Sequence, residues 1–333
     1  MPDAYTGTAA LDFSQTAYDR LAYFAFRPQL YFDRVAEVQP TRQSMPGSAV
    51  VFTIVNDLSV ASTTLNESTD VNAVALSDSQ VTVTLAEYGN AVITTAKLRG
   101  TAFVEVDPIV ANVVGFNAGV SMDTVTRDVL KAGSNVDYQT SATNTPVGRS
   151  SITPSEILTA HFVRLEMNKL VINNVPDFGG LYVCYINPDV ALDLREQTGS
   201  ASWRDPHTYS QPGEIWSGEL GEFEGFRFIR TPRAPVFADA GSSTTNTDVY
   251  RTLFLGRQAL AKAFSMVDGN GAFPKTVPGP ITDHLRRQVP FGWYWLGAYG
   301  IFRQAALRAV ESASSVGANA ATGTDALAIN APD

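Results

Sequence analysis

The stretch DPIVANVVGFNAGVSMDTVTRDVLKAG, residues 107–133, decides the fold. It opens on Asp107-Pro108 and closes on Lys131-Ala132-Gly133: a capping carboxylate, a proline at the first helical position and a glycine able to turn left-handed past the end. Between them Ile109, Val113, Phe116, Val120, Met122, Val125 and Val129 recur at three- and four-residue steps, which predicts one helix with an apolar side. At 1.5 Å per residue it spans roughly 37 Å. Its valines, threonines and glycines lower intrinsic propensity, so packing along its length has to hold it. A buried strand pair broken at Gly115 is the alternative.

Upstream, Val50, Phe52 and Ile54 alternate within 49–58, and Val81-Thr82-Val83-Thr84-Leu85 alternates again and continues through Tyr88, Val92 and Ile93. Residues 59–80 between them are polar and acidic (Glu67, Asp70, Asp78). The pattern predicts a long antiparallel hairpin with a polar tip, each arm about 30 Å at 3.3 Å per residue. A lone two-stranded ribbon is marginal in water, so it must lay its apolar face on another surface. If that surface is a neighbouring copy, the contact is head-to-tail and generates rings or lattices. Removing the tip, 62–79, is expected to leave a soluble folded subunit that no longer assembles. Further upstream, 1–48 lacks sustained periodicity. A short helix is expected at 14–26, capped by Ser14 and stopped by Pro28, and Leu30, Tyr31, Phe32 and Val35 suggest an extended arm lying on another surface.

Downstream, 134–151 reads as a flexible connection. Thr153-Pro154-Ser155-Glu156 is a capping box, predicting a helix through Leu170 with Leu158, Phe162 and Leu165 inward. Gly180 to Ile186 is a buried strand, Asn187-Pro188 caps a helix over 189–197, and 213–225 is a loop rich in Gly and Glu. Phe226 to Ile229 is a strand, and 242–248 is a polar loop. Leu253-Phe254-Leu255-Gly256 leads into a helix ending at Met266, and 291–303 is a central strand with a helical end. Residues 312–333, mostly Ala, Ser, Thr, Gly and Asn, read as disordered. Strands separated by helices indicate mixed α/β structure.

The 333 residues suffice for a large core or a few subdomains. A net charge of -9 with pI ≈ 4.9 argues against a surface that grips nucleic acid by its phosphates. One cysteine, Cys184, precludes an internal disulfide framework, and residues 1–13 lack the basic-then-apolar order of a secretory signal. The most apolar run, 291–302, is well short of the ~20 residues that span a bilayer. These features predict a product made in the cytoplasm, with no membrane partner.

No phosphate loop, G-x-S-x-G or H-E-x-x-H motif occurs. His161, His207 and His284 are far apart, and His161 falls on an apolar helix side as a core histidine. Cys184 lies in an apolar strand as an inert thiol. Glu214, Glu219, Glu222 and Glu224 form one carboxylate cluster, better read as a solvated or intersubunit loop than as acid-base machinery. Asp268-Gly269-Asn270-Gly271 lacks the ligand spacing of a calcium loop and reads as a turn. Trp293, Tyr294 and Trp295 read as two-sided core. No catalytic, cofactor-binding or metal residue is assigned.

The order of arm, hairpin, long helix and mixed remainder resembles the major capsid proteins of tailed bacteriophages, which share the Hong Kong 97-like fold. Leu65-Asn66-Glu67-Ser68-Thr69-Asp70, Ala86-Glu87-Tyr88-Gly89-Asn90, Gly218-Glu219, Gly225 to Ile229, Thr231-Pro232-Arg233-Ala234 and Leu253 to Leu260 are similar to one branch of that family, as is Val289 to Trp295. The resemblance implies an α+β fold with an N-terminal arm (1–48), a β-hairpin extended loop (49–97), a peripheral domain (98–180, with the spine helix at 107–133, resumed at 250–311), an axial domain (181–249) and a flexible tail (312–333). It also implies a virion shell of hexamers and pentamers that encloses double-stranded DNA without sequence-specific binding, together with a separate scaffolding protein, a portal and a decoration protein. Leu65, Glu67, Asp70, Glu87, Tyr88, Trp216 and Glu219 are the expected assembly contacts. An encapsulin nanocompartment of the same fold is the alternative, and a hydrolase using Glu214 to Glu224 the more distant one.

Overall fold

The computed structural model describes residues 31–40, 49–55, 58, 62, 64, 67, 74–102, 106–141, 145–197, 219–242, 246–265, 271–278, 283, 285 and 287–316. The expected helix at 14–26, Leu65, Asp70, Glu214, Trp216, His207, His284, the turn at 268–270 and the tail beyond 316 lie outside them. In chain order the strands are β1 (Ala36–Pro40), β2 (Ala49–Val55), β3 (Asp78–Thr84), β4 (Ala86–Thr95), β5 (Val136–Tyr138), β6 (Tyr182–Ile186), β7 (Glu219–Phe223), β8 (Phe226–Arg230), β9 (Val236–Phe237), β10 (Val249–Leu255), β11 (Leu260–Phe264), β12 (Lys275–Pro278), β13 (Gln288–Ile301) and β14 (Leu307–Ser312). The helices are α1 (Ala96–Thr101), α2 (Val106–Lys131), α3 (Ala160–Ile172) and α4 (Pro188–Glu196).

Among these residues there are two sheets and a ribbon. One sheet runs β1-β11-β13-β12, with β4 on the far edge of β13. The other runs β5-β14-β10-β6-β8-β7, with β9 added to β10. The ribbon is β2 paired antiparallel with β3.

The central helix is present as the 26-residue α2. Its buried side differs from the expected one. Val106, Val110, Val114, Ala118 and Met122 form a strict four-residue stripe, while Val113 is exposed. That stripe also carries Asp123 and Thr126, polar residues that an apolar count passes over but that are buried because they bond within the core. Asp107 lies inside the first turn rather than capping it. Gly133 has no positive φ; an added Cβ there would lie 2.7 Å from Leu307 Cδ2, so the position needs space for the second sheet rather than a left-handed turn.

Several expectations are corrected by the sheets. The long return strand of the hairpin is two strands, because after Leu85 the chain leaves β2 and β4 pairs with β13 over ten residues. Phe32 and Val35, expected on another surface, are buried in this chain's own core, and β1 runs parallel to β11. The connection at 134–151 contains β5 and a 3-10 turn at Arg149–Ser151. Glu156 takes the Thr153 N–H, as a capping box would, but Ile157 then bridges to Ala313, so α3 starts only at Ala160. Its buried residues are Ala160, Val163, Glu166 and Leu170; His161 is exposed beside Phe162. Glu219 to Phe223, expected in a loop, form β7.

The segment read as a helix after Gly256 is β11, and the helical end expected within 291–303 is strand, since β13 runs to Ile301. β11 is rich in Ala and Leu, strong helix formers, and tertiary pairing overrides the propensity. Elsewhere β6, β8 and α4 match the sequence reading, with Asn187 Oδ1 accepting from the Asp189 N–H as the cap of α4.

Candidate functional site

The ribbon is the element that a shell would use, so its seating on the body comes first. Phe52 and Val83 point inward onto Ala261, Ala263 and Ala298, and Phe52 packs beside Phe302 at 5.7 Å between centroids. Small residues on β11 and β13 let the ribbon approach: a Cβ on Gly300 would come within 2.6 Å of Val83 Cγ2. Val51, Val55, Leu58, Val74 and Leu76, on the ribbon and the chain beyond it, are exposed. The base of the hairpin therefore rests on its own subunit, not on a neighbour, and its far part presents apolar side chains outward.

The expected assembly residues do not converge. Glu67 is exposed near the tip, and Glu87 is exposed on β4. Tyr88, next to it, stacks on Trp295 at 5.8 Å and is anchored in the first sheet. Glu219 lies in the other sheet, opposite Ile229. In the acidic stretch, Glu222 faces Arg227 at 3.6 Å and Glu224 faces Arg164 at 2.7 Å, so each of these two carboxylates already has a cation. Glu224, with φ +50°, and Gly225, with φ +78°, make the tight turn into β8.

Four buried ionic joints fasten the layers, and sequence reading found none of them because their partners are distant in the chain. In the first, Asp123 on α2 accepts the backbone N–H of Tyr31 at 2.9 Å and of Phe32 at 3.0 Å, and binds Arg233 Nε at 2.8 Å. Tyr185 Oη, on β6, donates to Tyr31 O at 2.7 Å. In the second, Asp33 Oδ1 takes Lys262 Nζ at 2.6 Å and Tyr299 Oη at 2.5 Å. Residues 31–33 thus tie α2 to both sheets.

In the third joint Glu166 and Asp137 face Arg308 and Lys169, with Lys169 Nζ at 2.9 Å and 2.8 Å from the two carboxylates. In the fourth, Glu311, fully buried, is held by Arg149 at 2.7 Å and Arg251 at 2.6 Å. Burial raises the Glu166 carboxyl against the pull of Arg308 and Lys169, and burial lowers the Lys262 ammonium against the pull of Asp33.

Burial raises the Cys184 thiol well above its ordinary range, the opposite of what a nucleophile needs. Burial and the nearby carboxylates likewise raise Tyr185, Tyr250 and Tyr299. Trp293 and Trp295 are buried, donating their indole N–H groups to Asn117 Oδ1 at 2.9 Å and Gly271 O at 3.0 Å, so they are structural. Among the described residues no group of three His, Cys, Asp or Glu gathers to hold a metal, and no helix is long and apolar enough to cross a membrane.

The sequence matches the model of the family described as phage capsid protein over residues 7–316. No curated protein matches it. Solved structures do: the capsid of Ralstonia phage GP4, at TM-score 0.70 and 14% identity, covers 94% of this chain and 98% of its own. The capsid asymmetric unit of cyanophage Pam1 gives TM-score 0.69 at 14% identity, with 95% and 100% covered. The capsid of cyanophage P-SCSP1u gives 0.64 at 15%, with 93% and 96% covered. With the whole-chain family match and this agreement in fold, the chain belongs to the phage capsid protein family and is a capsid shell protein with the Hong Kong 97-like fold.

Proposed function

We propose that this chain assembles, as hexamers and pentamers, into the icosahedral head of a tailed phage, and that the assembly contact is made by the hairpin. The supporting observation is the division of the ribbon: its base is fixed on β11 and β13 by Phe52 and Val83, while Val51, Val55, Leu58, Val74 and Leu76 point away from the body. An element held at one end and apolar at the other extends a subunit's reach to its neighbour. In this reading 49–97 is the extended loop, α2 the spine helix of a peripheral domain, and 181–249 the axial domain, to whose sheet β5 and β14 add. Double-stranded DNA is enclosed behind a wall whose net charge of -9 per chain disfavours gripping it. Scaffolding, portal and decoration proteins are separate partners, and the subunit is made in the cytoplasm of a bacterial host. Its role is structural rather than catalytic, in keeping with the pairing of Glu222 and Glu224 to arginines.

Electron microscopy of sedimented material from cells expressing the chain, alone and with its genomic neighbours, tests this reading. Closed icosahedral shells that need a neighbouring gene support a phage head. Shells formed by the chain alone around a cargo enzyme would point to a nanocompartment instead. A monodisperse small species in both preparations would overturn the shell reading.

A further inference from the structure

Three of the four ionic joints are balanced: Asp123 with Arg233, Asp33 with Lys262, and Glu166 and Asp137 with Arg308 and Lys169. The fourth is not. Around the single carboxylate of Glu311 stand Arg149, Arg251 and Lys131, all over the ring of Phe237, at 3.4 Å, 5.2 Å and 4.6 Å from its centroid. Glu311 is spent on the two arginines. The carboxylate whose charge acts on Lys131, Asp128, is itself engaged with Arg127 at 3.0 Å and adds no net charge. The Lys131 carbonyl at the negative end of α2, which would partly offset the excess, accepts from Arg251 Nη1. Lys131 Nζ makes no ion pair with any described residue, and burial lowers its pKa, with Asp128 pulling it up and Arg127, Arg149 and Arg251 pushing it down. Glu311 is sealed inside, whereas Arg149 is 33% exposed and Lys131 and Phe237 are half-buried, so the surplus positive charge faces outward.

We propose that the notch formed by Lys131 and Arg149 over Phe237 receives a carboxylate from a second copy of this chain. The inference rests on the shell reading, which brings copies together. With 33 acidic and 24 basic residues, identical subunits repel one another, and an interface between them needs a local positive site that its own subunit leaves unneutralised. Surplus carboxylates are what every neighbour carries. A surplus of two cations is a small site for a DNA backbone, which is bound by many phosphate contacts at once.

Particles assembled from a mixture of normal and heavy-isotope-labelled chains are treated with a carbodiimide, which couples an amine to a carboxylate in contact. The expected product is a peptide joining Lys131 to an acidic residue with mixed labels, the mark of two copies. Lys131 left uncoupled, or coupled only within its own chain, overturns the proposal. A Lys131→Glu variant supplies the missing carboxylate from within. Its free subunit is expected to melt no lower than wild type, while shell yield falls at least about tenfold. Wild-type yield in that variant overturns the proposal, and so does full yield with loss of nuclease-protected DNA, which assigns the notch to phosphate. A wild-type chain that forms no particles even with its genomic neighbours defeats the shell reading itself, and is seen before any variant is compared.

Discussion

Lys262 Nζ lies 2.6 Å from Asp33 Oδ1, across 229 residues of chain, and the lysine side chain is 1% exposed. The aromatic rings of Phe273, Tyr299 and Trp295 surround the ammonium at 4.8 to 5.9 Å. The pair fixes the first described segment to the middle of the five-stranded sheet.

Removing only the carboxylate leaves a charge with no water. Asp33→Ala is expected to cost about 3–5 kcal/mol. Lys262→Met keeps an unbranched chain among the rings and leaves Asp33, 13% exposed, able to hydrate, so its cost is expected to be well below that. Urea unfolding of the unassembled subunit compares the two. Equal losses would mean that attraction, not desolvation, dominates the pair.

Alkali should unfold the subunit in one step. Burial, then nearby carboxylates, raise Tyr185, Tyr250 and Tyr299. Above pH about 10 the unfolded chain releases these protons and the folded one keeps them, so stability falls with rising pH, by about 1.4 kcal/mol per pH unit for each tyrosine. Lys262, lowered by burial, works the other way, adding stability as pH rises toward the ordinary lysine value. That contribution is complete by pH about 10.4. Phenolate absorbance from these three should appear together with loss of circular dichroism; their gradual titration in a still-folded protein would contradict the burial argument.

Two glycines should respond in opposite directions to alanine. At exposed Gly115 in α2 nothing lies within 4 Å of an added Cβ, so Gly115→Ala is expected to stabilise by roughly 0.5–1 kcal/mol. At Gly297 the Cβ would sit 2.3 Å from the Trp295 ring, which is fully buried, and Gly297→Ala is expected to destabilise by about 1–3 kcal/mol. Thermal melts of both variants decide it.

For the hairpin, the strand bounds refine the deletion that matters. Asp78 and Ser79 pair with Val55 and Ile54, so removing 62–79 damages the ladder, whereas removing 58–76 spares it. The 58–76 deletion is expected to melt like wild type and yield no closed shells by electron microscopy. Phe52→Ala should instead loosen the base, costing about 3–5 kcal/mol.

Sequence reading found the elements whose pattern is strong and local: α2 by its period, β6 and β8 by their apolar runs, α4 by Asn187-Pro188. It misread β11 because Ala261 and Ala263 look helical. They are alanines because Phe52 and Val83 press on them, and a larger side chain would push the ribbon away. It joined β3 to β4 because both alternate, and alternation does not say which partner a strand takes. The joints were hidden for a related reason: Asp33 with Lys262, or Arg251 with Glu311, become neighbours only when the sheets close.

The ten-residue pairing of β4 with β13 has a mechanical consequence. In the proposed shell, tension on the hairpin reaches the body along the axis of β4, at right angles to the hydrogen bonds of an antiparallel ladder. Those bonds are therefore loaded in shear, all at once, rather than peeled one by one. A subunit pulled by its loop should yield at the loop or at the neighbour's grip before β4 leaves the sheet.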